Sequence, residues 1–367
     1  MSSNLKTFLE DPLLLRLWRE VRSVGGLKSI ALDITHVCNL RCTGCYFFEE
    51  GMDKIAPPED EAVFDDFIQK EKERGTNFVT IVGGEPSLAL GRLKKIYDNF
   101  KTSVATNGLR KIPVEGFENL PIGISVWGDR ETDKRLRGNG KIEVFARALK
   151  NYRGDPRAFW YYTAAPGLAH EIKSVVKQCV ENGNCVLFNY YSDLSGRGGN
   201  LDFRQGFHEV QREIDRMMER YPDKILMTSY FNEIVSTGQL FDEKWGYEVC
   251  TNLSENYLPN AERLQNSKPS NPHFRAYNAD FTTTRRCCTG IDRDCASCFD
   301  TWEHFSWLMI NLRKHLGSQQ DFANWLTTTY LFYFINRLVD FEEGVKLLPE
   351  IQVFLKRQKS FETDFVS

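Results

Sequence analysis

The sequence carries no excess of either charge. Lys+Arg 47 stand against Asp+Glu 50 in 367 residues, for a formal net charge of -3. No basic footprint for nucleic acid or for an anionic membrane surface is therefore expected. Long apolar runs are also missing. Stretches such as 330–335 fall far short of the ~20 residues a spanning helix needs, so no transmembrane segment is predicted. The first residues, MSSNLKTFLEDPLLLRLWREV, place Glu10 and Asp11 inside the apolar stretch and lack the basic start and cleavage site of a secretory signal. A cytoplasmic location is expected, with cysteines kept reduced. Neither an internal repeat nor a low-complexity tract is present.

What the sequence has in quantity is clustered cysteine. Its ten cysteines fall as Cys38/Cys42/Cys45, Cys179/Cys185, Cys250 and Cys287/Cys288/Cys295/Cys298. In a chain of this kind, such grouping points to metal or redox chemistry before disulfides. Buried unligated thiols are common, so Cys179 and Cys185, which flank a helix-to-strand turn, read as packing residues.

From residue 29 onward, short β-branched or aromatic runs alternate with helix-length amphipathic segments, the rhythm of repeated βα units. Strands are predicted near 29–35, 77–82, 101–106, 121–127, 157–163 and 185–190, and helices around 59–74, 88–100, 132–152, 170–182 and 207–220. The connecting helices are long enough for right-handed crossovers, so the sheet should be mostly parallel. The expected fold class is α/β: a partial, six-unit TIM-like barrel with a C-terminal cysteine-rich module and a helical cap. Domain bounds are predicted at 1–28 for an N-terminal helical extension, 29–240 for the barrel, 241–310 for the cysteine-rich module and 311–367 for a C-terminal helical segment.

The strongest motif is DITHVCNLRCTGCYF, where a predicted strand ends and Cys38, Cys42 and Cys45 follow with CxxxCxxC spacing. Three sulfurs on one short loop can hold three corners of a 4Fe-4S cluster and leave one iron open to a substrate. The alternative is a zinc knuckle, which wants a fourth protein ligand that His36 could supply only with awkward geometry. The second predicted strand ends in Gly83, Gly84, Glu85 and Pro86. The third ends in Ala105, Thr106, Asn107 and Gly108, and the fourth reads ISVWGD around Ser125. All these segments fall at strand C-termini, where parallel αβ sheets place ligands.

With these motifs in this order, the chain resembles the radical S-adenosylmethionine (SAM) enzymes over roughly residues 29–200. The resemblance implies that the open iron chelates SAM and that one-electron cleavage yields a 5'-deoxyadenosyl radical, which abstracts hydrogen from an unactivated carbon. It implies Tyr46 near the adenine, the segment Gly83–Gly84–Glu85–Pro86 at the methionyl amino group with Glu85 near the ammonium, and Thr106, Asn107 and Ser125 in the SAM neighbourhood. A plain role for Glu85 would be a carboxylate at a helix N-terminus. Asp129 follows Trp127 and Gly128, two places later than the family's ISVDG-like strand end, which leaves that strand's contacts open. Asn189 and Tyr190 would face the cavity of a barrel, and Asn189 joins the cofactor-binding set on position alone.

The second cysteine group, RRCCTGIDRDCASC with Cys250 upstream, partly resembles the auxiliary-cluster domains called twitch or SPASM. Cys250, one of Cys287 or Cys288, Cys295 and Cys298 would close a second 4Fe-4S cluster, and the alternative is a four-cysteine zinc site. Adjacent residues of an extended chain point apart, so one of Cys287 and Cys288 should be spare. His304 could contact the second metal or the substrate, although a satisfied core histidine is the plainer reading. Arg135 and Arg137 could clasp an anion, while charged helix ends are usually solvated.

The expected function is hydrogen abstraction from a small molecule, with net oxidation or bond formation assisted by the second cluster and electrons from a donor such as flavodoxin or ferredoxin. The 28 residues before the first strand are too few for a typical leader-peptide domain, which favours a small molecule over a peptide. Alternatives are peptide modification, adenosyl transfer, or a noncatalytic iron-sulfur or zinc protein. No cobalamin-binding module is evident.

Overall fold

The computed structural model describes residues 3–192, 203–238, 252–256, 273–290 and 298–364. Among these residues, eight strands form one sheet in the order β6-β5-β4-β3-β2-β1-β7-β8. The strands are β1 (Ser29–Asp33), β2 (Phe78–Val82), β3 (Lys101–Thr106), β4 (Ile122–Val126), β5 (Ala158–Ala164), β6 (Cys185–Tyr190), β7 (Arg275–Tyr277) and β8 (Thr284–Arg285). Pairing is parallel from β6 through β7, and only the β7–β8 ribbon is antiparallel. The curved sheet stays open rather than closing on itself, in the half-barrel form that the alternation predicted.

Each strand has two unlike faces. Ile30, Leu32, Val79, Ile81, Ile122, Ile124 and Val126 point outward and are fully buried under helices, each worth roughly 1.5–3 kcal/mol of burial. Ser29, Ala31, Thr80, Ser103, Ala105 and Ser125 alternate with them and line an interior cavity. A period of two separates the sets. A barrel interior is usually filled by Val, Ile and Leu; small side chains here leave about 700 Å³ open.

Helices cover the outside: α4 (Ala62–Arg74), α5 (Leu90–Asn99), α6 (Arg130–Leu136), α7 (Val144–Asn151), α8 (Ile172–Glu181), α9 (Phe203–Arg220) and α10 (Ser229–Thr237), with short α1 (Ser3–Phe8) and α3 (Tyr46–Glu49) elsewhere. The helix expected over 132–152 is two helices. The chain breaks after Arg137, where a Cβ on Gly138 would lie 2.0 Å from the Ile142 carbonyl oxygen and Asn139 adopts φ 51. The ribbon of β7 and β8 and helix α10 were not predicted from the sequence.

The open side of the sheet is walled by α11 (Thr301–Ile310) and α12 (Gln319–Ile335), followed by α13 (Phe341–Asp364). Helix α12 is buried around its whole circumference from Phe322 to Ile335, as expected for a helix that is apolar on every side. Trp18 of α2 (Pro12–Val24) packs on Phe322 and Trp325, with ring centroids 5.8 and 6.3 Å away, which closes the floor. No described helix is long and apolar enough to cross a membrane.

The segment after β8 is tied to the sheet by a buried ion pair. Arg285 donates from Nη2 to Asp33 Oδ1 at 2.9 Å and from Nη1 to the Tyr277 carbonyl at 2.7 Å. Burial pushes the Asp33 carboxyl up to about 6 despite the guanidinium beside it, because the low-dielectric interior disfavours its charge. Removing one partner of such a pair strands the other. Arg285→Met is expected to destabilise the protein by about 3–5 kcal/mol, measured by urea unfolding, and adding Asp33→Asn should restore a substantial part of that loss.

Candidate functional site

Strand β1 ends at Asp33, and the chain then forms an irregular loop carrying Cys38, Cys42 and Cys45 before Tyr46 opens α3. With no regular structure of its own, the loop is held by its neighbours. Gly84 N and Glu85 N donate to the carbonyls of Thr35 and Val37 at 3.0 and 2.8 Å. Thr43 N donates to the Leu136 carbonyl at 2.8 Å, which ties the loop to the end of α6. The two glycines serve this seam. Gly83 sits at φ 102, and a Cβ on Gly84 would lie 2.2 Å from the Val37 carbonyl oxygen.

Glu85 takes the plain capping role considered for it and adds a second. Its side chain caps the turn Pro86–Leu88 by accepting from Ser87 N at 3.0 Å. It also accepts from Thr106 Oγ1 at 2.6 Å and Asn107 N at 2.8 Å, which joins the ends of β2 and β3. Asn107 in turn donates from Nδ2 to Asn39 Oδ1 at 2.7 Å, reaching back into the cysteine loop. The GGEP and TNG segments therefore form one hydrogen-bonded frame around the three cysteines.

The strand-end departure at Trp127–Asp129 has a local cause. Asp129 is the N-cap of α6 and accepts from Glu131 N and Thr132 N at 3.0 and 2.9 Å, as an aspartate at that position commonly does. Arg137 is not a solvated helix end. It is 2% exposed and donates from Nη1 to the Ser125 carbonyl at 2.6 Å and to Asp133 Oδ2 at 3.1 Å. The missed signal was Asp133 four residues earlier, a spacing that pairs opposite charges on one helix face.

Burial raises all three loop thiols: Cys38 is pushed up to about 12 and Cys45 to about 11, with Cys42 moved the same way. The charge of Cys42 adds to the upward shift of Cys38 and Cys45, and that of Cys45 adds to the shift of Cys38, so deprotonation of the set calls for a bound cation. Among the described residues, no three Cys, His, Asp or Glu side chains close on a single ion position. Tetrahedral zinc needs such closure, and His36 does not provide it. A cubane takes one thiolate per iron and does not need it. The donor set fits the cluster.

Tyr46, Gly44, Ser125, Trp127 and Asn189 line the cavity at the C-terminal ends of the strands. Tyr46 lies between the two cysteine groups: the charges of Cys288, Asp33 and Cys45 add to the burial that holds its hydroxyl well above its ordinary value. Asn189 accepts from Thr301 N at 2.8 Å and so seats the start of α11. Tyr190 also borders the cavity, but its hydroxyl points away and donates to Asn232 of α10 at 2.6 Å, because neighbours on a strand face opposite sides.

In the second group, Cys250 and Cys295 lie outside the described residues. Cys287 and Cys288 point apart. Cys287 packs against the main hydrophobic core, and half-buried Cys298 is raised by loss of solvation and then by the charges of Asp300, Glu303 and Cys287. Cys288 lines the cavity, packs against the small cluster of Ala31, Phe274 and Ala276 and donates from Sγ to Glu303 Oε1 at 2.9 Å. His304 is fully buried with Nδ1 2.7 Å from the Asp300 carbonyl, and burial lowers it to about 4. Cys179 is fully buried in the core, as a packing residue should be.

The site also contains residues not singled out from the sequence. Asp300, Tyr161 and Trp302 all line the cavity. Asp300 Oδ2 accepts from Tyr161 Oη and Asn189 Nδ2, each at 3.4 Å, and burial raises the Asp300 carboxyl. Its location just after CASC hid it, since only the fold brings it beside β5 and β6.

Residues 32–155 match the family model described as the Radical SAM superfamily, whose enzymes use a 4Fe-4S cluster and SAM. A "Probable GTP 3',8-cyclase" of Saccharolobus islandicus (strain M.14.25 / Kamchatka #1) is 28% identical over 140 residues, covering 35% of this chain and 43% of the relative. The same description and coverage apply to a protein of S. islandicus strain Y.N.15.51 / Yellowstone #2. The chain thus spans less than half the length of these curated relatives. Among solved structures, anSMEcpe with bound AdoMet aligns at TM-score 0.48 and 16% identity, covering 80% of this chain and 83% of that one. The FeFe-hydrogenase maturase HydG from Carboxydothermus hydrogenoformans aligns at TM-score 0.40 and 14% identity, covering 92% and 86%.

Because the Gly84 position has no room for a side chain, Gly84→Ala is expected to push the Val37 carbonyl and the cysteine loop away from the turn. The variant should melt several degrees lower and bind measurably less iron per chain than the parent, by calorimetry and iron assay after anaerobic reconstitution.

Proposed function

We propose, on the premise that residues 32–155 form a Radical SAM domain, that this protein abstracts hydrogen from a small molecule held in the central cavity, with net oxidation or bond formation. The observation that carries the reading is that Tyr46 beside the three-cysteine loop, Ser125 and Asn189 at the strand ends, and Cys288 of the second cysteine group all line one cavity. When bound, the cluster and SAM supply one-electron cleavage of a carbon–sulfur bond and a 5'-deoxyadenosyl radical.

The chain's own residues would prepare that chemistry. Cys38, Cys42 and Cys45 would hold the cluster, and the frame from Glu85 to Thr106 and Asn107 would keep the loop in place. The Gly83–Pro86 turn and Tyr46 would receive the methionyl and adenine ends of SAM. A cavity of about 700 Å³ falls in the range of ~300–1,000 Å³ typical of small-ligand sites. The walls from α11 and α12 would exclude water, which a reactive carbon radical requires.

Residues 241–310 would form an auxiliary module in which Cys250, Cys287, Cys295 and Cys298 hold a second 4Fe-4S cluster. The separation of Cys287 from Cys288 supports assigning Cys287 to that cluster and leaving Cys288 as a cavity thiol. Such a cluster could accept the electron left on the substrate after hydrogen abstraction. A flavodoxin or ferredoxin would supply the first electron.

Anaerobic, cluster-loaded protein given dithionite and SAM should release 5'-deoxyadenosine, read by chromatography, and Cys38→Ala/Cys42→Ala/Cys45→Ala should release none. Absence of product from the cluster-loaded parent would overturn the catalytic reading. For the second cluster, Cys287→Ala should lower iron and sulfide per chain while Cys288→Ala leaves both near the parent value.

A further inference from the structure

The described charged residues that line the cavity are Arg22, Glu49 and Asp300. Arg22 belongs to α2, before the start of β1, whereas Asp300 stands beside Asn189 near the end of β6. The two occupy opposite ends of strands of five to seven residues, and at about 3.3 Å per residue they do not meet. Among the described residues, Asp300 has no cationic partner.

The two carboxylate oxygens of Asp300 are used unequally. Oδ1 caps α11, accepting from Trp302 N at 2.9 Å and Glu303 N at 3.4 Å. Oδ2 has Tyr161 Oη and Asn189 Nδ2 at 3.4 Å each. Those contacts lie at the outer edge of hydrogen bonding, so a shorter charge-assisted bond can form there. Three aromatic rings stand close by. Tyr161 and Trp302 have centroids 5.9 Å apart, inclined at 37°, and Trp302 meets Phe332 at 5.9 Å, nearly edge to face at 78°. All three line the same cavity. A carboxylate beside several ring faces is the setting in which an ammonium group gains both an ion pair and cation–π contact.

We propose that this corner, formed by Asp300, Asn189, Tyr161, Trp302 and Phe332, binds the protonated amine of the substrate, so that the substrate is a small amine with an apolar body. The apolar body packs along Met309, Leu312 and Phe332, which continue the wall toward the floor. The inference rests on the cavity being the reaction chamber and names the substrate class for it.

SAM also carries an ammonium group. The Gly83–Pro86 turn proposed for it lies at the end of β2, three strands from β5, or roughly 14 Å along the sheet at ~4.8 Å per strand. Calorimetric titration of anaerobic, cluster-loaded, SAM-saturated protein with phenethylamine and with 2-phenylethanol tests the corner without any turnover. A failure here leaves SAM cleavage untouched, and a failure of SAM cleavage leaves this measurement intact.

The amine should bind at least tenfold more tightly than the alcohol. Asp300→Asn retains an N-cap residue and should lower amine affinity at least tenfold with little change for the alcohol. Trp302→Leu should lower amine affinity several-fold; if Asp300→Asn fails to fold, Trp302→Leu and Asn189→Leu carry the same comparison. The proposal is overturned if phenethylamine does not bind, if amine and alcohol bind alike in the parent, or if the variants keep the amine preference. It is equally overturned if Asp300→Asn weakens SAM while phenethylamine affinity is unchanged, which would place the SAM ammonium in this corner.

Discussion

Backbone hydrogen bonds between the cysteine loop and the turn after β2 are the constraint on which the site depends. The loop has no helix or strand to fix it, and burial raises all three of its thiols. Its place is set by the Thr35 and Val37 carbonyls, which receive Gly84 N and Glu85 N. The seam can close because position 84 has no Cβ. On its far side, the buried Glu85 carboxylate spends its acceptors on Ser87, Thr106 and Asn107. A buried carboxylate is costly unless several donors satisfy it, and here those donors belong to the two segments that must stay in register with the loop.

The cavity follows from a second economy of side chains. The helix-covered face of the central strands is bulky, while the cavity face carries mainly Ser, Ala and Thr at the same period. Small interior residues forfeit packing that a filled barrel would gain, and the lost contacts are partly recovered by α11 and α12 on the open side. These helices supply aromatic rings where the strands supply hydroxyl and amide groups. The chamber is therefore lined by both kinds of group, contributed by parts of the chain more than a hundred residues apart.

The strands were legible in the sequence because each is a short β-branched or aromatic run bounded by turn residues, and the motif segments were legible because they sit at strand ends. Less visible features have physical reasons. The ribbon of β7 and β8 is three and two residues long, too short for periodicity to show. The split between α6 and α7 turns on Gly138 and Asn139, which a helical pattern on either side conceals. Arg137 reads as a surface charge until Asp133 and the Ser125 carbonyl are seen to enclose it. Asp300 and Tyr161 are 139 residues apart in sequence, and no local pattern announces a contact of that range.

The two adjacent cysteines show how a distant anchor can decide a local question. In an extended chain, a slip of one residue exchanges the faces of every side chain, so Cys287 and Cys288 would swap environments. Arg285 prevents the slip: it is bonded to Asp33 at the end of β1 and to the Tyr277 carbonyl of β7. Cys287 N then donates to the Gly290 carbonyl at 3.2 Å in a tight turn, which leaves Cys288 beside Glu303 and the cluster of Ala31, Phe274 and Ala276. The ion pair inside the sheet thus selects which thiol meets the chamber and which faces the core. A neutral hydrophobic pair at positions 33 and 285 would give comparable burial and no such directional hold on the register.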